Sequence, residues 1–208
     1  NGDMLFKARR RLVFEELLVL NLGLRKLKNG NSEQNGILME KDYTEEFFAK
    51  LPFELTSAQI RTVKQCVADL QSGKSPMNRL IEGDVGSGKT ICAAAAVYIA
   101  VKNGYQASLM APTEILAAQH YEDLSNLFSR MGITTALLTG STKASEKKAI
   151  KEGLADGAID FVIGTHALLT DDVEFKNPAL VITDEQHRFG VVQRARLASK
   201  GRDRMCLS

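Results

Sequence analysis

Residues Gly83, Asp84, Val85, Gly86, Ser87, Gly88, Lys89 and Thr90 satisfy the spacing G-x-x-x-x-G-K-[ST] of a phosphate-binding loop. The glycines let the backbone take conformations that a Cβ penalises. Successive N–H groups can then turn toward phosphate oxygens at a helix N-terminus that already favours anions. Lys89 adds a point charge for the β- and γ-phosphates, and the Thr90 hydroxyl is placed to ligate Mg²⁺. A second set of chemical groups follows the apolar run Leu180-Val181-Ile182-Thr183. Asp184 is the candidate metal partner, directly or through water. Glu185 is the candidate base for the water that attacks the γ-phosphate. Two adjacent acids at a sheet edge are costly without a cation, so Mg²⁺ accounts for their pairing. Gln186 and His187 complete an Asp-Glu-Gln-His box, in which His187 is expected to relay the γ-phosphate state to another surface.

These groups need elements to carry them. Arg79-Leu80-Ile81-Glu82 reads as a strand before the loop, and the Ala-rich run Ile91–Val101 as a buried helix after it. Further strands are expected at 107–111, 133–138, 160–164 and 180–183, and helices at 113–131 and 145–154. Upstream, helices are expected at 5–28, at 42–51 and from Thr56 or Ser57 to Gln71. Short apolar strands alternating with helices predict an α/β fold, a parallel sheet covered on both faces, with an N-terminal helical arm. The polar run 29–36 reads as a mobile loop, which divides the chain into an arm with its loop at 1–36 and a nucleotide-binding domain at 37–208. The arm is locally basic, seven positive charges to three negative, and reads as a helix packing on a neighbouring domain in preference to one that touches nucleic acid.

Composition narrows the setting. The 208 residues are 44% hydrophobic with a formal net charge of +2, enough for a sizeable core and neutral as to partners. Cys66, Cys92 and Cys206 have no metal-ligand spacing and read as buried thiols of a reducing compartment, which places the protein in the cytoplasm. No apolar run approaches a membrane span, and no membrane partner is expected. Asn1 in place of Met, and the apolar Met205-Cys206-Leu207-Ser208, read as the ends of a segment of a longer chain.

Four stretches together are specific: 83–90, Met110–His120 (Met-Ala-Pro-Thr-Glu-Ile-Leu-Ala-Ala-Gln-His), Ile163–Leu168 (Ile-Gly-Thr-His-Ala-Leu) and Asp184–Val191 (Asp-Glu-Gln-His-Arg-Phe-Gly-Val). They resemble superfamily-two helicase motifs, and within them the RecG family of bacterial ATP-dependent DNA helicases that remodel branched DNA. Ala8–Leu18 resembles the helix preceding that family's motor, and Gln186 separates the box from the Asp-Glu-Glu-His of transcription-repair translocases. The resemblance implies a RecA-like P-loop fold, ATP and Mg²⁺ as cofactors, and DNA as partner, gripped by its backbone without sequence specificity. It further implies that Phe53 stacks on adenine and Gln59 hydrogen-bonds it. Pro112, Thr113, Gln119, Thr139, Gly140, Gly164, Thr165 and His166 match DNA-backbone motifs. It also implies a missing second RecA-like lobe, with the arginine fingers, and a missing wedge domain, so that this segment alone is not competent for turnover. Arg188, Arg194 and Arg196 are the candidates to act in cis instead. A phosphotransferase acting on a small molecule and a nucleotide switch without turnover fit less well, because the base neighbours the metal ligand and Glu185 is present.

Overall fold

The computed structural model describes residues 2–30, 36–84, 86–185 and 203–207. It comprises two units, 1–35 and 36–208. The first is a single helix, α1 (Gly2–Gly30), longer at both ends than its apolar pattern predicts. Arg11 and Glu15 pair one turn apart at 2.9 Å on its surface, and Phe6, Leu12, Phe14 and Leu17 are exposed.

The second unit runs α2 (Thr44–Ala49), α3 (Ser57–Ser72), β1 (Asn78–Ile81), α4 (Lys89–Lys102), β2 (Gln106–Met110) and α5 (Glu114–Ser129). It continues through β3 (Thr135–Leu138), α6 (Ala144–Asp156), β4 (Phe161–Gly164), a short 3-10 turn (His166–Leu169), β5 (Pro178–Asp184) and β6 (Asp203–Leu207). The six strands form one parallel sheet in the order β1-β6-β5-β2-β4-β3. β6 is a strand that the sequence pattern does not predict. Its five residues wedge between β1 and β5, bonded to both.

The central strands β2, β4 and β5 are buried on both faces, successive residues facing opposite cores. Ala107, Leu109, Phe161, Ile163, Leu180 and Ile182 enter the larger core beside α3, α4 and α5. Met110, Val162 and Val181 point the other way, into a smaller core with Leu154, Leu168 and Val173. α4 is buried from Cys92 to Ala100 because four consecutive alanines let its backbone lie close to the sheet. Burial pushes the Cys66 and Cys92 thiols up to about 12 and about 11, so both are inert packing groups.

α2 is held on α4 by a polar cluster around the fully buried Tyr98. The Tyr98 hydroxyl donates to Glu46 at 2.6 Å, and Lys50 donates to Glu46 and to Tyr98, each at 2.8 Å. These bonds, Lys50 first, hold the Glu46 carboxyl at about 2, well below its ordinary 4.5. Because the folded value lies below the unfolded one, the cluster's stabilisation is complete above about 4.5 and is lost as pH falls toward about 2. Wild type should therefore melt above Glu46→Gln at neutral pH, with the gap closing through that acidic window. A gap independent of pH in calorimetry would show that the Glu46 charge contributes nothing.

Candidate nucleotide and nucleic-acid site

Strand register brings the separate motifs to one edge. Leu207 is level with Ile81 on one side and with Asp184 on the other, so the phosphate loop leaves β1 at the height where Asp184 ends β5. Two strand spacings separate them, roughly 10 Å. Met110 is level with Thr183 and Gly164, and Gly164 with Leu138, so the segments at 111–113, 139–143 and 165–169 leave the same carboxyl edge. Ligands of open α/β sheets sit at that edge.

The loop fits a nucleotide phosphate. Gly86 and Gly88 have φ of +80° and +78°, which L side chains rarely adopt. Gly88 is the N-cap of α4, and no side chain caps that helix, whereas α3 and α5 are capped by Thr56 and Thr113. The uncapped N-terminus is where an anion would take the cap's place. Lys89 folds back on the loop, donating to the Gly83 carbonyl and, at 3.0 Å, to that of Asp84. Gly83, Asp84 and Ser87 are exposed and Thr90 is half-buried, while Val85 lies outside the described residues.

At the acidic end, Asp184 and Glu185 are half-buried. Glu185 has φ +49°, the one positive value outside glycine among the described residues, and its N–H donates to the Leu207 carbonyl at 3.0 Å. The left-handed turn ends β5 there, so the second acid does not follow the alternation of the strand. Among the described residues no three His, Cys, Asp or Glu side chains cluster as a metal cage. Mg²⁺ needs none, since it is held by one or two protein groups plus phosphates and water. Gln186 and His187, with Arg188, Arg194 and Arg196, lie outside the described residues.

The adenine candidates take definite positions. Phe53 is exposed, not packed in the core, and lines a cleft of about 470 Å³ with Phe48, Leu51, Leu55 and Ile60. Gln59 is engaged at both ends of its amide: Oε1 accepts from Thr56 N–H in a capping box, and Nε2 donates to the Ser87 carbonyl at 3.0 Å. The side chain thus ties the start of α3 to the phosphate loop.

The DNA candidates divide by exposure. Thr113, Gln119, Gly140 and His166 are exposed, Pro112 is half-buried, and Thr113 also acts as a plain N-cap for Leu116. Thr139 and Thr165 are buried, and the Thr139 hydroxyl bonds those of Ser141 and Thr142. Gly164 is needed for packing: a Cβ there would stand 2.1 Å from the Leu138 carbonyl oxygen. Glu114, given no role by the sequence, joins α5 to the segment after β3 by accepting from Ser141 N–H at 3.1 Å and its hydroxyl at 2.6 Å. Those bonds, the hydroxyl's first, lower its pKa. His120, also unassigned, hydrogen-bonds Asp184 at 2.8 Å. Its place on the helix opened by Thr113 is visible in the sequence, but its partner is not.

A parallel RecA-like sheet with a G-x-x-x-x-G-K-[ST] loop and a strand-end acid pair at one edge is the architecture of a P-loop domain, and the chain belongs to the DEAD/DEAH box helicase family, whose model matches residues 56–206. It is similar to the ATP-dependent DNA helicase RecG of Bacillus subtilis, 50% identical over 94% of this chain, and to that of Thermotoga maritima, 51% identical over 94%. It covers 29% and 25% of those proteins, so it spans little more than a quarter of their length. A solved structure of RecG bound to a three-way DNA junction matches 98% of the chain at 47% identity, with a TM-score of 0.85. The UvsW helicase of bacteriophage T4, 18% identical with a TM-score of 0.59, shares the fold. No described helix is long and apolar enough to cross a membrane.

Proposed function

We propose that residues 37–208 form the first RecA-like lobe of an ATP-dependent DNA helicase that remodels branched DNA, with 1–36 as a helical arm. The observation that carries the reading is the register that levels the phosphate loop with Asp184 at one sheet edge. The likeness to RecG, one of whose structures holds a three-way junction, supports branched DNA as the substrate. In this reading the loop amides and Lys89 grip the β- and γ-phosphates of ATP, and Thr90 and Asp184 hold Mg²⁺. Mg²⁺, when bound, neutralises charge that develops on the transferred phosphoryl group. Glu185 takes the proton of the attacking water. Phe53, with the apolar cleft beside it, receives adenine, and Gln59 reads the base by exchanging its Ser87 bond for one to adenine. Thr113, Gln119, Gly140 and His166 offer backbone-directed contacts to a DNA strand along the β2–β4–β3 end of the same edge. The buried Thr139, Gly164 and Thr165 shape that surface from beneath. A second RecA-like lobe elsewhere in the protein supplies the cations that complete the site, and a separate domain grips the junction.

The test is nucleotide affinity. Lys89→Ala should weaken Mg²⁺-ADP binding by about 1.5–3 kcal/mol, the scale of a charge-assisted contact. Equal affinity in wild type and mutant by calorimetry would end the reading of residues 83–90.

A further inference from the structure

His120 belongs to α5, which packs on β3 and β4, yet its ring crosses to the end of β5 and bonds Asp184, 64 residues away, at 2.8 Å. The two side chains are only 13% and 16% exposed, so the pair is shielded from the competition with water that weakens surface pairs. An ionised carboxylate can only accept, so the proton lies on Nε2 and the imidazole donates. The bond uses Asp184 Oδ2 and leaves Oδ1. Resting on the nucleotide-site reading above, we propose that His120 is a positioning residue for the metal: it orients the Asp184 carboxylate so that one oxygen is presented to Mg²⁺ or to its water. Carboxylates that ligate metals are commonly aimed by such an outer hydrogen bond, and losing one typically costs 10–100-fold in metal affinity.

Mn²⁺, a paramagnetic stand-in for Mg²⁺, serves as the probe, titrated into the 208-residue chain with saturating ADP while free metal is read by electron paramagnetic resonance. His120→Ala should weaken Mn²⁺ binding roughly 10–100-fold, with ADP affinity in excess chelator unchanged. His120→Gln, whose amide nitrogen reaches the place of Nε2 and donates, should recover most of it. That second variant separates donor from packing even if the alanine protein melts early. Wild-type Mn²⁺ affinity in His120→Ala, or an equal loss in both variants, overturns the assignment. Two controls separate this from the underlying reading. A wild-type chain that binds no ADP refutes the nucleotide site and the inference with it. A chain that loses ADP in Lys89→Ala and Mn²⁺ in Asp184→Ala, yet is indifferent at His120, refutes the inference alone.

Discussion

Replacing Glu185 by Gln in the helicase proposed to carry this lobe is expected to leave nucleotide binding intact and to lower ATP turnover by roughly two to four orders of magnitude, the worth of a positioned general base. The amide keeps the size and much of the hydrogen bonding of the carboxylate but cannot take a proton from water. The backbone sets this residue apart. Glu185 sits at φ +49°, with its N–H tied to Leu207, a left-handed conformation that costs a non-glycine residue about 1–2 kcal/mol. Asp184→Ala should behave differently, weakening metal-dependent binding before turnover is reached. The measurement is steady-state phosphate release with DNA present: kcat should fall and KM should hold. A Glu185→Gln enzyme within threefold of wild type would remove the base from this position.

The second large effect is on stability. Gly164→Ala is expected to destabilise the lobe by on the order of 3 kcal/mol or more, since overpacking against backbone cannot be relieved by turning a side chain. The added Cβ would stand 2.1 Å from the Leu138 carbonyl oxygen and 3.0 Å from Leu168 Cγ, so β3 and β4 would have to part where they pair. For a unit of this size the melting temperature should drop by roughly 6–12 °C. Gly104→Ala is the control: φ there is +86° and a Cβ would meet nothing within 4 Å, so only backbone strain is added, about 1–2 kcal/mol. If Gly164→Ala melts no lower than Gly104→Ala, the glycine is not there for packing, and its match to a DNA-backbone motif regains weight.

Local chemistry was legible in the sequence. The loop at 83–90 announces itself because phosphate binding needs several glycines and a lysine within eight adjacent residues. β4 and β5 were legible because a strand buried on both faces is apolar without interruption, and the helices because proline, glycine and capping residues punctuate them. Thr56 and Thr113 cap α3 and α5 at the residues their types suggested, and most elements differ from expectation by a residue or two at their ends.

What the sequence left undecided depends on partners distant along the chain. β6 has only three consecutive apolar residues, Met205-Cys206-Leu207, too few to signal a strand; it is one because β1 and β5 offer unpaired edges on either side. Its insertion sets the spacing between the phosphate loop and Asp184, which no local pattern encodes. The close approach of Leu138 to Gly164, and the Ser87 bond that engages the Gln59 amide, likewise join residues far apart in the chain. The bond between His120 and Asp184 spans 64 residues, and no local pattern encodes it. Residue type and near-neighbour spacing determine which groups can do chemistry and which segments become helix or strand, because those preferences act within a few residues. Strand order and register decide which groups meet, because those contacts exist only once the whole sheet has closed.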